Sequence, residues 1–278
     1  MLGVLAYHGE IGWMQGGFLG VDAFFVLSGF LITTLLIEEH RRAGVIKLGA
    51  FWARRARRLL PALFAVLVFV GCFAAFVAAP GSYPDLRGDE LSALLYVANW
   101  HFILAGANYF AQNGPASPLG HTWSLAIEEQ FYVVWPLVVV LVLWVARRRR
   151  SGLRPLLLVC VAGAAASAAE MAVLYLRGTG DSRLYFGTDT HAQSLLVGAA
   201  LAVALALYAR RPDTARRPDT ARRRAMVVLA ALGWAGVAGS AFLWSHLSYT
   251  SPALFEGGFL LASLATAAVL LSTVRAPE

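Results

Sequence analysis

His8, Asp22, Glu128, Asp189 and His191 could each move or hold a proton, and all lie within or beside long apolar runs of this 278-residue sequence. An ionisable group inside hydrocarbon costs a few kcal/mol on insertion scales, so each is a candidate for chemistry. His8 closes the stretch GVLAYHGE, and an imidazole with an ordinary pKa of about 6.5 suits general-base work at neutral pH. Asp22 stands in GGFLGVDAFFVLSGFLITTLL, where a buried carboxyl must pair, protonate or face water. The glycines around it, Gly16, Gly17, Gly20 and Gly29, suit close helix packing equally well.

Three further groups involve binding as much as proton transfer. In FWARRARRLLPAL, Arg55 and Arg58 are three apart on one helical face and fit a phosphate clamp, although a basic anchor beside a span is the plainer reading. Pro61 is expected in the first turn of that span, where its missing N–H does no harm. In SPLGHTWSLAIEEQFYVVWP, the seven residues from His121 to Glu128 turn about 700° of helix, which puts them on one face with Ser124 between. Glu129 is expected to point away, toward the membrane interface. In YFGTDTHAQSLLVGAALA, Asp189 and His191 open a span, and helix-end anchoring is the alternative role.

The elements that position these groups follow from composition. Apolar residues make up 59% and charged residues only 14%, where soluble domains carry nearer a quarter. With a mean hydropathy of +0.64, this is a membrane composition. The net charge of +7 comes from arginine blocks between apolar runs, a pattern that fits cytoplasmic loops facing anionic lipid and needs no nucleic acid. Cys72 and Cys160 lie inside apolar runs with no metal or redox spacing, so they read as small core residues, and no metal site is expected.

The expected fold is all-α, a polytopic transmembrane helix bundle with about seven or eight full spans. Spans are expected over 18–37, 59–79, 124–146, 155–176, 192–209, 225–244 and 252–273, each long enough for about 30 Å of hydrocarbon. Segment 90–110 carries Glu90, Asn99, His101 and Asn108 and reads as re-entrant or interfacial. The tandem RRPDTA repeat in 210–225 reads as a solvated basic loop on the cytoplasmic side. Residues 1–8 read as the end of a span that continues upstream.

Taken in order, these blocks resemble the acyltransferase-3 family of bacterial integral-membrane acyltransferases, over nearly the whole of 1–278. The chain looks most like the members that O-acetylate cell-surface glycans. The resemblance implies that His8 is the essential histidine and that Arg55 and Arg58 form the Arg-x-x-Arg motif that handles the acyl-CoA donor. Ser124, Leu125 and Glu128 match its Ser-Leu-x-x-Glu motif. Asp22 and Ser28 match a further block, and Asp189 and His191 a later one in which the second position is Arg or His. An Arg eleven residues before the histidine and a final span after residue 278 are expected from the family, so the domain reads as incomplete at both ends.

The implied reaction moves an acyl group, most simply acetyl, from acetyl-CoA or another acyl-CoA to a hydroxyl of a cell-surface or lipid-linked glycan. No bound cofactor is called for. His8 is either the general base, oriented by Asp22 or Glu128, or a transient acyl carrier. Arg55 and Arg58 bind the donor, with Ser124, His121, Asp189 and His191 as further binding residues. A proton- or ion-coupled transporter using the same buried charges, or an inactive acyltransferase remnant, are the rival readings.

Overall fold

The computed structural model describes residues 14–77, 83–107, 109, 117–148, 152–209 and 219–274. The elements are helices α1 (Gly20–Ala43), α2 (Leu48–Phe76), α3 (Tyr83–Leu94), α4 (Ala98–Leu104), α5 (Thr122–Arg148), α6 (Arg154–Leu176), α7 (Asp181–Phe186), α8 (Thr188–Ala209), α9 (Asp219–His246) and α10 (Phe259–Thr273). Among the described residues no strand occurs, and seven helices are long and apolar enough to cross a membrane. Lipid offers the backbone no hydrogen bonds, so helices that satisfy their own peptide groups are the form such runs must take. The chain is a multi-pass membrane protein. Segment 90–110 is no continuous span: α3 and α4 are separated by a break at Tyr96, whose φ is +54°.

Cross-helix contacts fix the directions. Asp22 meets His191 and Ser194, while Gly198 lies against Val26 and Phe30, so α1 and α8 run parallel. Ser28 meets Glu128 and Thr33 meets Trp135, so α5 runs parallel to them. Ser167 on α6 reaches Thr190 and Gln193 while Gly163 packs on Leu196, so α6 is antiparallel to α8. Gly16 donates its N–H to the Trp244 carbonyl at 2.8 Å, placing the end of α9 beside the start of α1. This alternation brings Arg41, Arg42, Arg54, Arg147, Arg154, Arg223 and Arg224 to one end of the bundle.

Glycine decides how closely α1 and α8 approach. A Cβ on Gly29 would sit 1.8 Å from the Leu195 carbonyl oxygen, and one on Gly198 would sit 1.9 Å from that of Val26. Only a residue without a side chain permits this approach. On the other side, the lipid-facing surfaces of α2 and α9 expose Phe69, Phe76, Trp234 and Phe242.

Three expectations change here. The helix expected from residue 59 starts at Leu48, so Arg54, Arg55, Arg57 and Arg58 are helical and Pro61 lies in the helix interior instead of its first turn. Alanine, leucine and arginine are strong helix formers, and the helix continues from the span into the basic block. Residues 219–225 of the expected basic loop are likewise helical, while 210–218 lie outside the described residues. Cys160 is buried as expected, but Cys72 is exposed on α2.

A second internal proline shapes the site. Pro136 in α5 has no N–H to give the Tyr132 carbonyl one turn earlier. That oxygen instead accepts the Trp52 indole N–H of α2 at 3.0 Å. Trp52→Phe should therefore cost about 1–2 kcal/mol, the penalty of a buried acceptor left unmade. In a Pro136→Ala background, where the helix N–H returns, the same change should cost much less. Melting curves of the four proteins in detergent check this, and equal costs in both backgrounds would contradict it.

Candidate active site

Two polar centres lie between the parallel helices. In the first, Asp22 in the first turn of α1 is 1% exposed, and its Oδ1 faces His191 Nδ1 at 3.1 Å and accepts the Ser194 hydroxyl at 2.8 Å. Ser263 of α10 donates to Ser194 at 2.8 Å. His191 Nε2 is buried with no hydrogen-bond partner among the described residues. Phe25, Trp123, Tyr185 and Phe259 surround the ring with centroids 5.2–5.5 Å away.

The second centre lies further along α1. Ser28 donates its hydroxyl to Glu128 Oε1 at 2.6 Å and accepts the Tyr132 hydroxyl at 2.9 Å. The Arg55 guanidinium lies over the Tyr132 ring, with Cζ 4.5 Å from the centroid. Beside it Glu129 Oε1 is buried with no hydrogen-bond partner among the described residues, within electrostatic reach of Arg55 and Glu128. Burial first, and then the negative charge of Glu129, push the Tyr96 phenol above its ordinary pKa. Gln130 ties the Tyr96 break to the bundle: its amide donates to the Tyr96 carbonyl at 2.8 Å and to Asn99 Oδ1 at 2.9 Å, and it accepts the Thr188 hydroxyl at 2.6 Å.

From Arg55 an open cleft of about 530 Å³ leads to the basic end, lined by Leu35, Glu38, Glu39, Arg42, Arg54 and Arg58, among others. Glu38 and Glu39 pair with Arg41, Arg42 and Arg54. Among the described residues, Arg55 and Arg58 form no ion pair.

With this geometry in place, comparison with known families matches residues 1–277 to the acyltransferase domain. The chain belongs to that acyltransferase family. Its relatives include the peptidoglycan O-acetyltransferase OatA of Listeria monocytogenes, 38% identical over 279 residues that cover 100% of this chain and 42% of that protein. A putative O-acetyltransferase of Staphylococcus aureus is 36% identical, covering 99% of this chain and 43% of its own. A putative peptidoglycan O-acetyltransferase of Bacillus subtilis, YrhL, is 38% identical, covering 100% and 42%. The chain thus spans less than half the length of these relatives. No solved structure matches it.

The acyltransferase domain gathers only part of the residue set expected from sequence. Arg55 and Arg58 share the cleft, but only Arg55 turns inward; Arg58 stays exposed. Asp22 and Glu128 belong to separate centres, with Phe25 and Trp123 packed on each other near His191. His8 lies outside the described residues.

Other expected residues are reassigned. His121 precedes the first turn of α5 and is exposed, because a turn at Ser117–Gly120 starts the helix only at Thr122. Ser124 donates to the His121 carbonyl at 3.3 Å, and with His121 outside the helix the expected three-residue face keeps only Ser124 and Glu128, one turn apart on α5. Glu129, expected at the interface, instead turns a carboxyl oxygen into the protein. Asp189 is gripped by both terminal nitrogens of Arg183, with Glu170 4.0 Å from the same guanidinium. His191 is fully buried as the partner of Asp22. Sequence reasoning missed Tyr132, Ser194 and Arg183. For Tyr132 the proline four residues later was an available signal.

Proposed function

We propose that this domain transfers an acyl group, most simply acetyl, from an acyl-CoA to a hydroxyl of a cell-surface or lipid-linked glycan. Peptidoglycan, the acceptor in the names of two relatives, belongs to this class. The observation that carries the reading is the cleft: among the described residues Arg55 and Arg58 line it without ion-pair partners, and Arg55 rests on Tyr132, whose hydroxyl leads through Ser28 to Glu128. Guanidinium groups without carboxylate partners suit the phosphates of CoA. The arginine-rich end would face the cytoplasm, where the donor is made.

The acceptor oxygen attacks the thioester carbonyl, the C–S bond breaks, and the departing thiolate takes up the proton removed from the hydroxyl. His8 is the residue assigned to that proton by family resemblance, as base or as transient acyl carrier. Asp22 or Glu128, the buried carboxyls of the two polar centres, would orient it.

The direct test is Arg55→Ala combined with Arg58→Ala. Binding of labelled acetyl-CoA should weaken about tenfold or more with the melting temperature unchanged, as loss of charge-assisted bonds predicts. Unchanged binding would remove the cleft from the mechanism. Labelled acetyl transfer to envelope glycans, with a His8→Ala control, tests the reaction itself.

A further inference from the structure

We propose that Tyr132 is a positioning residue that registers Arg55 of the donor cleft against Glu128, an assignment that rests on the acyl-CoA reading above. Tyr132 is 5% exposed and is held by three different groups. Its ring carries the Arg55 guanidinium of α2. Its hydroxyl donates to Ser28 of α1. Its carbonyl, released by Pro136, receives the Trp52 indole N–H of α2.

Each contact answers a separate need. Arg55 sits on a long flexible side chain near two carboxylates, Glu128 and Glu129. An ion pair with either would neutralise the charge a phosphate donor requires. Stacking on a ring attracts the cation without neutralising it and leaves its N–H groups directed outward at the rim. The ring thus holds cation and carboxylate near each other yet separate.

The hydroxyl acts on the other partner. A phenylalanine would fill the same space, so burying an O–H has to be explained by the bond it makes. Ser28 has one proton, and accepting from Tyr132 leaves that proton directed to Glu128 Oε1. Among the described residues Oε2 has only a long 3.5 Å contact with the same phenol, and it remains for chemistry. Without Tyr132, Ser28 has a competing acceptor, the carbonyl one turn back, as Thr34 on the same helix already bonds the Phe30 carbonyl at 2.8 Å. Glu128 would then lose the bond that orients it.

The test uses Tyr132→Phe, Tyr132→Leu, Ser28→Ala and the Tyr132→Phe/Ser28→Ala double variant, with rates normalised to inserted protein. For Tyr132→Phe, acetyl-CoA affinity should stay within about twofold while kcat falls about tenfold, the worth of one hydrogen bond to a charged group. Tyr132→Leu should in addition weaken acetyl-CoA binding about fivefold, through loss of the stacked cation. Ser28→Ala should match Tyr132→Phe, and the double variant should be no slower than either single one, because both break the same chain. Wild-type kcat in Tyr132→Phe, loss of its acetyl-CoA affinity, or additive losses in the double variant would each overturn the assignment. Wild-type protein that does not bind acetyl-CoA overturns the donor reading and this assignment with it. If Tyr132→Leu does not insert, the phenylalanine and serine variants decide alone.

Discussion

Replacing Glu128 with glutamine is expected to lower kcat by about two orders of magnitude or more, the usual contribution of a group engaged in proton transfer or in orienting its base. The substitution is nearly isosteric. The amide oxygen can still accept from Ser28, so helices α1 and α5 should keep their packing and the melting temperature should hold. What is lost is a carboxylate beside the stacked Arg55. Acetyl-CoA affinity should change little, since Glu128 is not among the residues lining the cleft. A variant with wild-type turnover would reduce the Ser28–Glu128 bond to a packing contact. A variant that fails to bind donor would place Glu128 in the binding step instead.

Gly198→Ala is expected to destabilise the domain by at least about 3 kcal/mol, the upper end of what overpacking costs. The added methyl would lie 1.9 Å from a backbone oxygen, and no rotamer change can relieve a clash with main chain. The helices α1 and α8 must separate, and Asp22 and His191 with them. Leaving a buried carboxylate short of its partners adds the cost of an unsatisfied polar group. Gly49→Ala is the control: a Cβ there meets nothing within 4 Å, and alanine favours the helix. Thermal melting in detergent should show the first variant collapsing and the second within about 0.5 kcal/mol of wild type. Equal stability of both would mean that α1 and α8 do not approach as closely as described.

Much of the bundle was legible because hydrocarbon imposes both a length and an apolar composition on each crossing, and Glu90, Asn99, His101 and Asn108 marked the segment that could not be lipid-facing. Helix ends were less legible. A hydropathy window stops where arginines begin, but arginine does not stop a helix, so α2 extends eleven residues before its expected start. The site was legible in its residue types and obscure in its pairings. Ser28 and Glu128 are 100 residues apart, and Asp22 and His191 are 169 apart, so no local pattern announces either bond. Periodicity placed Glu129 away from Glu128 on the helix. It could not say that α2 and the α3–α4 hairpin lie on that side. His121 went astray for a local reason: the angular argument assumed a helix already formed at a residue that the chain uses in a turn.

Because α1, α5 and α8 run parallel, their peptide dipoles add where neighbours in an alternating bundle would cancel. Each N-terminal turn is equivalent to roughly half a positive charge. Asp22 lies in the first turn of α1 and Asp189 in that of α8, at the ends where this field is strongest. The backbone itself therefore adds to the polar surroundings of Asp22, whose side-chain partners among the described residues are an imidazole and a hydroxyl. A substitution that unwinds the opening turn of α1 would act on that buried carboxyl without replacing a single side chain of the site.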